Sequence, residues 1–165
     1  MPIMRFCLLA ASVALTLFAM PARADTAAGV ATAFCATRTA LDEARLKPLL
    51  TPSLLAVIAE AEERNRIIAE ATPDEKPPFG DGIPYQSFPD RPDTCEPGAP
   101  VERAGRTEVA IAYGFAKTPR ANWTDTLILI SAEGQALIDD IRFRESADGS
   151  GALTLREILH DAFDQ

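Results

Sequence analysis

The sequence predicts a two-layer α+β domain in which N-terminal helices pack on a four-stranded antiparallel sheet. Hydrophobic residues recur at helical spacing up to residue 71, and they recur at a period of two from residue 101 onward. A segment with eight prolines separates the two regions, and a short helical pattern follows the last strand. Helices that segregate to one face of an antiparallel meander form an α+β domain.

The first 24 residues predict a cleaved secretory signal. Arg5 gives a positive start, and residues 6–20 form an almost uncharged apolar run. Ala22-Arg23-Ala24 is typical of a cleavage site, with Asp25 as the first mature residue. The apolar run is shorter than the roughly 20 residues that cross a bilayer as a helix. We therefore expect residues 25–165 to be one free domain, periplasmic or secreted, with no membrane span.

The mature chain is acidic. The whole sequence carries a formal net charge of −8 at pH 7, which becomes −10 once Arg5 and Arg23 are removed. Nucleic acids and anionic membrane surfaces attract clustered basic residues, so we expect neither as a partner. The charge favours a basic protein partner or a cation. A simpler alternative is that the charge only keeps the protein soluble.

Two cysteines, Cys35 and Cys95, remain after Cys7 leaves with the signal. Two thiols in an oxidising compartment allow one pairing, so we predict a disulfide between Cys35 and Cys95. The alternative is a redox pair or a pair of metal ligands. It is disfavoured because the spacing is not the Cys-x-x-Cys pattern that lowers a thiol pKa, and because the chain has a single histidine.

Two helices are predicted before the proline-rich segment. The first covers residues 27–46. Its apolar face carries Val30, Ala33, Phe34 and Leu41. The second begins after Thr51, a favourable N-cap, with Pro52 at the first helical position, where a missing N–H group costs nothing. It is expected to end near Ala71, because Pro73 follows.

The proline-rich loop, residues 72–100, is predicted to be ordered and extended. Its eight prolines exclude a regular helix or strand. Its apolar residues argue against disorder, because such groups favour burial. They are Phe79, Ile83, Tyr85 and Phe88. We expect the loop to lie across the body of the domain, with Cys95 tying its far end to the first helix.

Four strands and a closing helix are predicted after the loop. Alternation of apolar with small or polar residues indicates half-buried strands separated by tight turns. The strands cover residues 101–104, 108–116, 123–131 and 136–145. Thr154 and Glu157 have the spacing of a capping box at the start of the closing helix.

Four short motifs lie between residues 78 and 141. They are Pro78-Phe79 followed by Gly82-Ile83-Pro84-Tyr85-Gln86-Ser87-Phe88-Pro89-Asp90, then Val109-Ala110-Ile111-Ala112-Tyr113, then Trp123-Thr124-Asp125, and then Ile138-Asp139-Asp140-Ile141. Through them, residues 27–160 resemble a group of small bacterial periplasmic proteins and lipoproteins that share a domain of unknown function. The resemblance implies a cystatin-like or nuclear-transport-factor-two-like fold, with helices wrapped by a curved, cone-like sheet. Many members carry a large aromatic residue where this chain has Ala136, and the resemblance supplies no catalytic residue.

The usual catalytic and cofactor motifs are missing from the sequence. His160 is the only histidine, so a serine–histidine–aspartate triad is disfavoured, and the ligand clusters of a zinc site are lacking. Neither a phosphate-binding loop nor a dinucleotide fingerprint is present. We therefore expect no cofactor and no metal ion, and the sequence favours a protein that is not an enzyme.

Two carboxylates are weak candidates for acid–base catalysis. Asp139 shares its parity with apolar residues of the last strand, so it points with them unless a bulge intervenes. Burial raises the pKa of a carboxyl, which is how general acids and bases are made. Asp125 in the neighbouring strand is placed to approach it. The alternative is that Asp139 accepts hydrogen bonds from the loop backbone, from Arg103 or from Tyr85.

A non-catalytic periplasmic binding or interaction domain is the leading functional hypothesis. The expected surface is the proline-rich loop with the adjoining sheet, where Tyr85, Phe88 and Trp123 are candidate binding residues. The alternative for these aromatic residues is a supporting role in the core or the loop. The acidic charge favours a basic envelope protein as the partner. The alternative functions are a small-ligand pocket, a carboxylate-based enzyme of the cone fold, and a structural envelope protein.

Overall fold

The structure, a computed structural model, describes residues 26–145 and 151–164. The predicted signal segment and its cleavage site lie outside these residues. Within them, four helices and five antiparallel strands confirm the α+β class. The helices are α1 (Ala27–Ala40), α2 (Glu43–Leu46), α3 (Pro52–Ala71) and α4 (Leu155–Asp161). The strands are β1 (Thr94–Pro97), β2 (Val101–Arg103), β3 (Arg106–Gly114), β4 (Trp123–Ala132) and β5 (Gln135–Arg142).

The sheet is open, with strand order β1-β3-β4-β5 and with β2 also paired to β3. Strand β1 was not among the four predicted strands. It lies in the proline-rich loop, so the expectation that this loop contains no regular helix or strand is wrong for residues 94–97. The strand pairs in antiparallel register from Thr94 opposite Gly114 to Pro97 opposite Ile111. An edge strand tolerates a proline at its end, because the missing N–H group is not needed by a second neighbour.

The helices begin as predicted, but the first one ends early. The prediction extended it to residue 46, whereas α1 ends at Ala40 and Leu41 adopts a left-handed conformation with φ 55°. Asp42 then caps the single-turn helix α2 by accepting the Arg45 backbone N–H at 3.1 Å. Helix α3 has the predicted bounds, and the capping box at the start of α4 is also present.

The hydrophobic core lies between the helices and the inward face of the sheet. Alternate residues of β3 are buried, namely Val109, Ile111 and Tyr113, whereas Ala110 and Ala112 are exposed. The helices and the loop contribute Phe34, Leu46, Leu54, Ile58, Phe79 and Tyr85 to the same cluster. The loop therefore packs against the body of the domain.

The disulfide between Cys35 and Cys95 is confirmed, with an S–S distance of 2.03 Å, and it joins α1 to β1. None of the helices within residues 26–145 and 151–164 has the length and apolar character needed to cross a membrane. The disulfide is consistent with a secreted or periplasmic protein.

Candidate functional site

A groove of about 500 Å³ lies between the C-terminal end of α1 and the first half of the proline-rich loop. We call it the α1–loop groove. It is lined by Arg38, Leu41 and Glu43 on one side and by residues of the stretch 78–89 on the other. The groove lies on the loop that the sequence analysis favoured as the binding surface.

Side chains of regular elements anchor the loop wall of the groove at two points. Asn65 of α3 accepts a hydrogen bond from the backbone N–H of Phe79 at 2.8 Å. Asp125 of β4 accepts one from the backbone N–H of Ser87 at 2.9 Å. Because Pro84 restricts the chain between these anchors, the groove has a wall of defined shape.

Asp125, the second carboxylate candidate, is a buried anchor of the loop and is only 1% exposed. Besides the Ser87 backbone N–H, it accepts hydrogen bonds from the Ser87 hydroxyl, from Trp123 Nε1 at 3.0 Å and from the backbone N–H of Arg144 at 3.0 Å. A buried carboxylate is stable when its oxygens accept such donors. Asp125 thus makes the contact with the loop backbone that the sequence analysis considered for Asp139.

A β-bulge at Asp139 interrupts the alternation that the sequence analysis assumed for the last strand. Ile128 pairs with Asp140 and Leu129 pairs with Ile138, so Asp139 is the extra residue. A bulge places two residues opposite one and changes the direction of the strand. The core residue here is Ile138 rather than Asp139.

The Asp139 carboxylate holds two helices against the sheet. It accepts a hydrogen bond from Thr51 Oγ1, the N-cap of α3, at 3.1 Å. It also forms an ion pair with Arg156 of α4, with an N–O distance of 3.0 Å. The backbone N–H of Thr51 donates to the Ile138 carbonyl at 2.9 Å, which closes part of the outer edge of β5. The partners of Asp139 are therefore not the loop, Arg103 or Tyr85.

Asp140 is a buried carboxylate that docks the start of α4. Its Oδ1 accepts hydrogen bonds from the backbone N–H groups of Ile141 at 2.9 Å and Arg156 at 3.2 Å. Burial raises the pKa of Asp140, although these hydrogen bonds act in the opposite direction. The sequence analysis did not single out this residue, because its burial depends on where α4 lies.

Asp140→Asn is expected to change how stability depends on pH. A carboxyl whose pKa is raised by folding stabilises the fold fully below its ordinary value of 3.8, and this stabilisation is lost as pH rises through the folded-state pKa. Asparagine keeps an acceptor oxygen but does not titrate. Urea unfolding from pH 3 to pH 7 should show the variant gaining stability relative to wild type as pH rises. A constant difference over this interval would contradict the raised pKa.

The three aromatic candidates occupy two places. Trp123 stacks on Tyr113 with ring centroids 4.6 Å apart, and Phe88 lies 5.6 Å from Trp123. Tyr85 is buried under the guanidinium of Arg38, and burial raises the pKa of Tyr85 to about 12. Tyr85 and Phe88 line the α1–loop groove, whereas Trp123 does not contribute to its lining.

Arg38 is the groove residue that the sequence analysis missed. It is only 7% exposed, although it lines the groove. Its Nε donates to Gln86 Oε1 at 2.9 Å, and burial lowers its pKa. Within the described residues it forms no ion pair with a carboxylate and no second hydrogen bond. Its burial could have been predicted from its position in the sequence. Arg38 lies four residues after Phe34 and eight after Val30, so it continues the apolar face of α1.

A second buried polar group interacts electrostatically with Arg38. Tyr113 is 2% exposed, and its hydroxyl has no hydrogen-bond partner in residues 26–145 and 151–164. Burial raises the pKa of Tyr113 far above its usual range, and the positive charge of Arg38 acts in the opposite direction. Buried polar atoms without partners are rare in native proteins.

Leu41 forms the rim of the groove in a conformation that favours glycine. A leucine with φ 55° costs roughly 1 to 2 kcal/mol relative to the right-handed region. The side chain is also 54% exposed, so burial returns little of this cost. The left-handed conformation makes Leu41 the C-cap that ends α1, with its backbone N–H donating to the Thr37 carbonyl.

Two further grooves flank helix α4. One of about 250 Å³ lies between α3 and α4 and includes Val57, Arg64 and Leu159. The other, of about 560 Å³, includes Phe79 and Phe163. Their charged residues are exposed or have partners; Arg64, for example, lies 4.3 Å from the centre of the Phe163 ring. Neither groove is lined by a buried charged side chain that lacks an ion-pair partner among the described residues. In the α1–loop groove, Arg38 is such a side chain.

One group of side chains in the described part of the chain has the spacing of metal ligands. It consists of His160, Asp161 and Asp164, all of them exposed. The same ring nitrogen of His160 lies 3.1 Å from Asp161 and 3.4 Å from Asp164. A surface hydrogen bond between His160 Nδ1 and the Asp161 carboxylate accounts for this arrangement.

Comparison with known proteins gave no match: no family model, no curated protein and no solved structure matches the chain. The resemblance stated from the sequence motifs therefore stays an expectation.

Proposed function

We propose that the protein is a non-catalytic binding domain of the periplasm or the extracellular space, and that the α1–loop groove takes a small ligand. The observation that carries this proposal is Arg38, a buried cation that lines the groove without a carboxylate partner among the described residues. Ligand sites are concave and largely apolar, with few polar groups that orient the ligand. The proposal thus favours the small-ligand alternative over a protein-docking surface on the loop.

The carboxylates support a role in binding rather than catalysis. Asp125, Asp139 and Asp140 each accept hydrogen bonds that fix a loop or a helix, and none lines the groove. A general acid or base must lie within hydrogen-bond reach of the reacting group. The carboxylates that do line the groove, Glu43 and Asp81, are exposed at its rim.

A basic envelope protein is the second candidate ligand, favoured by the net charge of −10 expected after loss of Arg5 and Arg23. The exposed face of α3 carries Glu60, Glu62, Glu63 and Glu70. A partner that uses this charge would dock on α3 rather than in the groove. If the protein has only a structural role in the envelope, we expect it to bind no partner at either place.

A matched pair of variants tests the groove. Leu41→Ala and Ile67→Ala each remove one exposed aliphatic side chain, 54% and 53% exposed, but Ile67 lies outside the groove on α3. Neither should shift the free energy of unfolding by more than about 0.5 kcal/mol. Only Leu41→Ala should weaken binding of the uncharged probe 3-phenylpropionamide, by about fivefold, because a newly buried leucine contributes about 1 kcal/mol.

The measurement is a titration followed by ¹H–¹⁵N NMR spectra of the oxidised mature chain. Backbone signals of the stretch 78–89 should shift with the probe. Equal weakening by Leu41→Ala and Ile67→Ala would contradict the proposed site, and so would an absence of shifts in this stretch both with this amide and with its carboxylate analogue 3-phenylpropionate.

A further inference from the structure

We infer that the ligand of the α1–loop groove is a monocarboxylate with an apolar body, whose carboxylate pairs with Arg38. This inference rests on the proposed function and adds the chemical class of the ligand. It follows from the charge state of the buried guanidinium, from its orientation and from the residues around it.

Arg38 lacks an ion pair within the described residues, although the Glu43 carboxylate at the groove rim acts on it electrostatically. An ionised side chain out of water is costly unless it is paired and hydrogen-bonded. In this chain the acidic residues outnumber the basic ones, 24 against 16. Nevertheless no carboxylate of the described residues pairs with Arg38, whereas Arg66 on the surface contacts both Glu63 and Glu70. An anionic ligand group would supply the missing partner.

A hydrogen bond to the loop fixes the orientation of the Arg38 guanidinium. The side-chain amide of Gln86 donates to the carbonyls of Phe88 and Asp90, at 2.7 and 2.9 Å, so its oxygen is left to accept Arg38 Nε. The loop therefore fixes the guanidinium plane through Nε and leaves the two terminal nitrogens without partners among the described residues. Two such nitrogens match the two oxygens of a carboxylate in a bidentate pair.

The rest of the groove combines apolar side chains with acidic side chains at its rim. Its loop wall includes the apolar side chains of Phe79, Ile83 and Phe88. Glu43 and Asp81 at the rim are acidic, and they repel any additional negative charge. The surroundings therefore favour one carboxylate on an apolar body over a phosphate dianion or a dicarboxylate.

Three probes that share a phenyl group separate these possibilities. They are 3-phenylpropionate, its uncharged isostere 3-phenylpropionamide, and phenyl phosphate, which is a dianion at pH 8. We expect the carboxylate to bind the groove about 10- to 100-fold more tightly than the amide, as for a hydrogen-bonded ion pair. Equal affinities for the acid and the amide, or tighter binding of phenyl phosphate, would overturn the inference.

The variant Arg38→Met tests the residue itself, with Arg120→Met as the control, because Arg120 is exposed and outside the groove. Arg38→Met should bind acid and amide equally, whereas Arg120→Met should keep the preference. An unchanged preference in Arg38→Met would contradict the inference. If Arg38→Met does not fold, the ratio of the wild-type affinities for the acid and the amide still tests the inference.

The outcomes separate this inference from the proposed function. Groove signals that shift with the amide and the acid to the same extent leave the binding site in place and remove only the carboxylate assignment. No shift of the stretch 78–89 with any of the three probes would overturn both.

Discussion

Asp125→Ala is expected to lower the free energy of unfolding by about 3 to 5 kcal/mol. The variant leaves three donors without their acceptor, namely the Ser87 N–H, the Ser87 hydroxyl and Trp123 Nε1, whereas the Arg144 N–H keeps a second acceptor, Ser87 Oγ, at 3.0 Å. Each unsatisfied buried donor costs about 1 to 3 kcal/mol, less where water enters the vacated space. Asp125→Asn should be intermediate, because its amide N–H₂ group faces donors instead of accepting from them.

The matched control is Asp93→Ala. Asp93 is exposed and accepts one hydrogen bond, from the Ala116 backbone N–H at 2.8 Å, so its loss should cost about 1 kcal/mol or less. Urea unfolding of the oxidised proteins measures both effects. An Asp125→Ala variant within 1 kcal/mol of Asp93→Ala would show that the loop does not depend on this anchor.

Removing the disulfide is expected to cost about 4 kcal/mol in the chain-entropy model for a 60-residue separation. The double variant Cys35→Ala/Cys95→Ala avoids leaving a thiol or hydroxyl at Cys35, which is buried. Strand β1 lies at the sheet edge and is tied to α1 through this bond, so its amides should exchange faster in the variant.

Wild type in dithiothreitol provides the control for this prediction. The reduced protein and the double variant should have the same urea midpoint, both well below that of the oxidised protein. Equal urea midpoints for oxidised and reduced wild type would show that the disulfide does not stabilise the fold by restricting the conformations of the unfolded chain.

Elements with strong local signals were predictable from the sequence. Helix α3 has its predicted bounds because Thr51 accepts the Leu54 N–H at 3.1 Å and Pro52 suits the first turn. The alternation in β3 is equally local, since buried Val109 and Ile111 flank exposed Ala110. In both cases neighbouring residues alone decide the conformation.

The features of the fold that were not predicted depend on residues that are distant in the sequence. Strand β1 forms because β3 offers a free edge 14 to 20 residues later, which no local pattern in a proline-rich segment reveals. The bulge at Asp139 follows from its contacts with Thr51 and Arg156 on two different helices. The early end of α1 at Leu41 requires a left-handed leucine, which the sequence pattern disfavours.

The candidate site was predictable in its location but not in its chemistry. The density of prolines and apolar residues in the loop indicated a binding surface, and the α1–loop groove lies there. Arg38 was overlooked because an arginine at the end of a helix usually faces solvent. Its burial results from the loop folding over it, through Gln86, which is 48 residues away.

The central claim is that the α1–loop groove binds the ligand, and intermolecular NOEs between 3-phenylpropionate and the oxidised protein test it most directly. The account predicts NOEs from the phenyl protons to the methyl groups of Leu41 and Ile83, which line the groove. NOEs to Val57 and Leu159 instead would place the ligand between α3 and α4 and contradict the account. An absence of NOEs at saturating probe would contradict it as well.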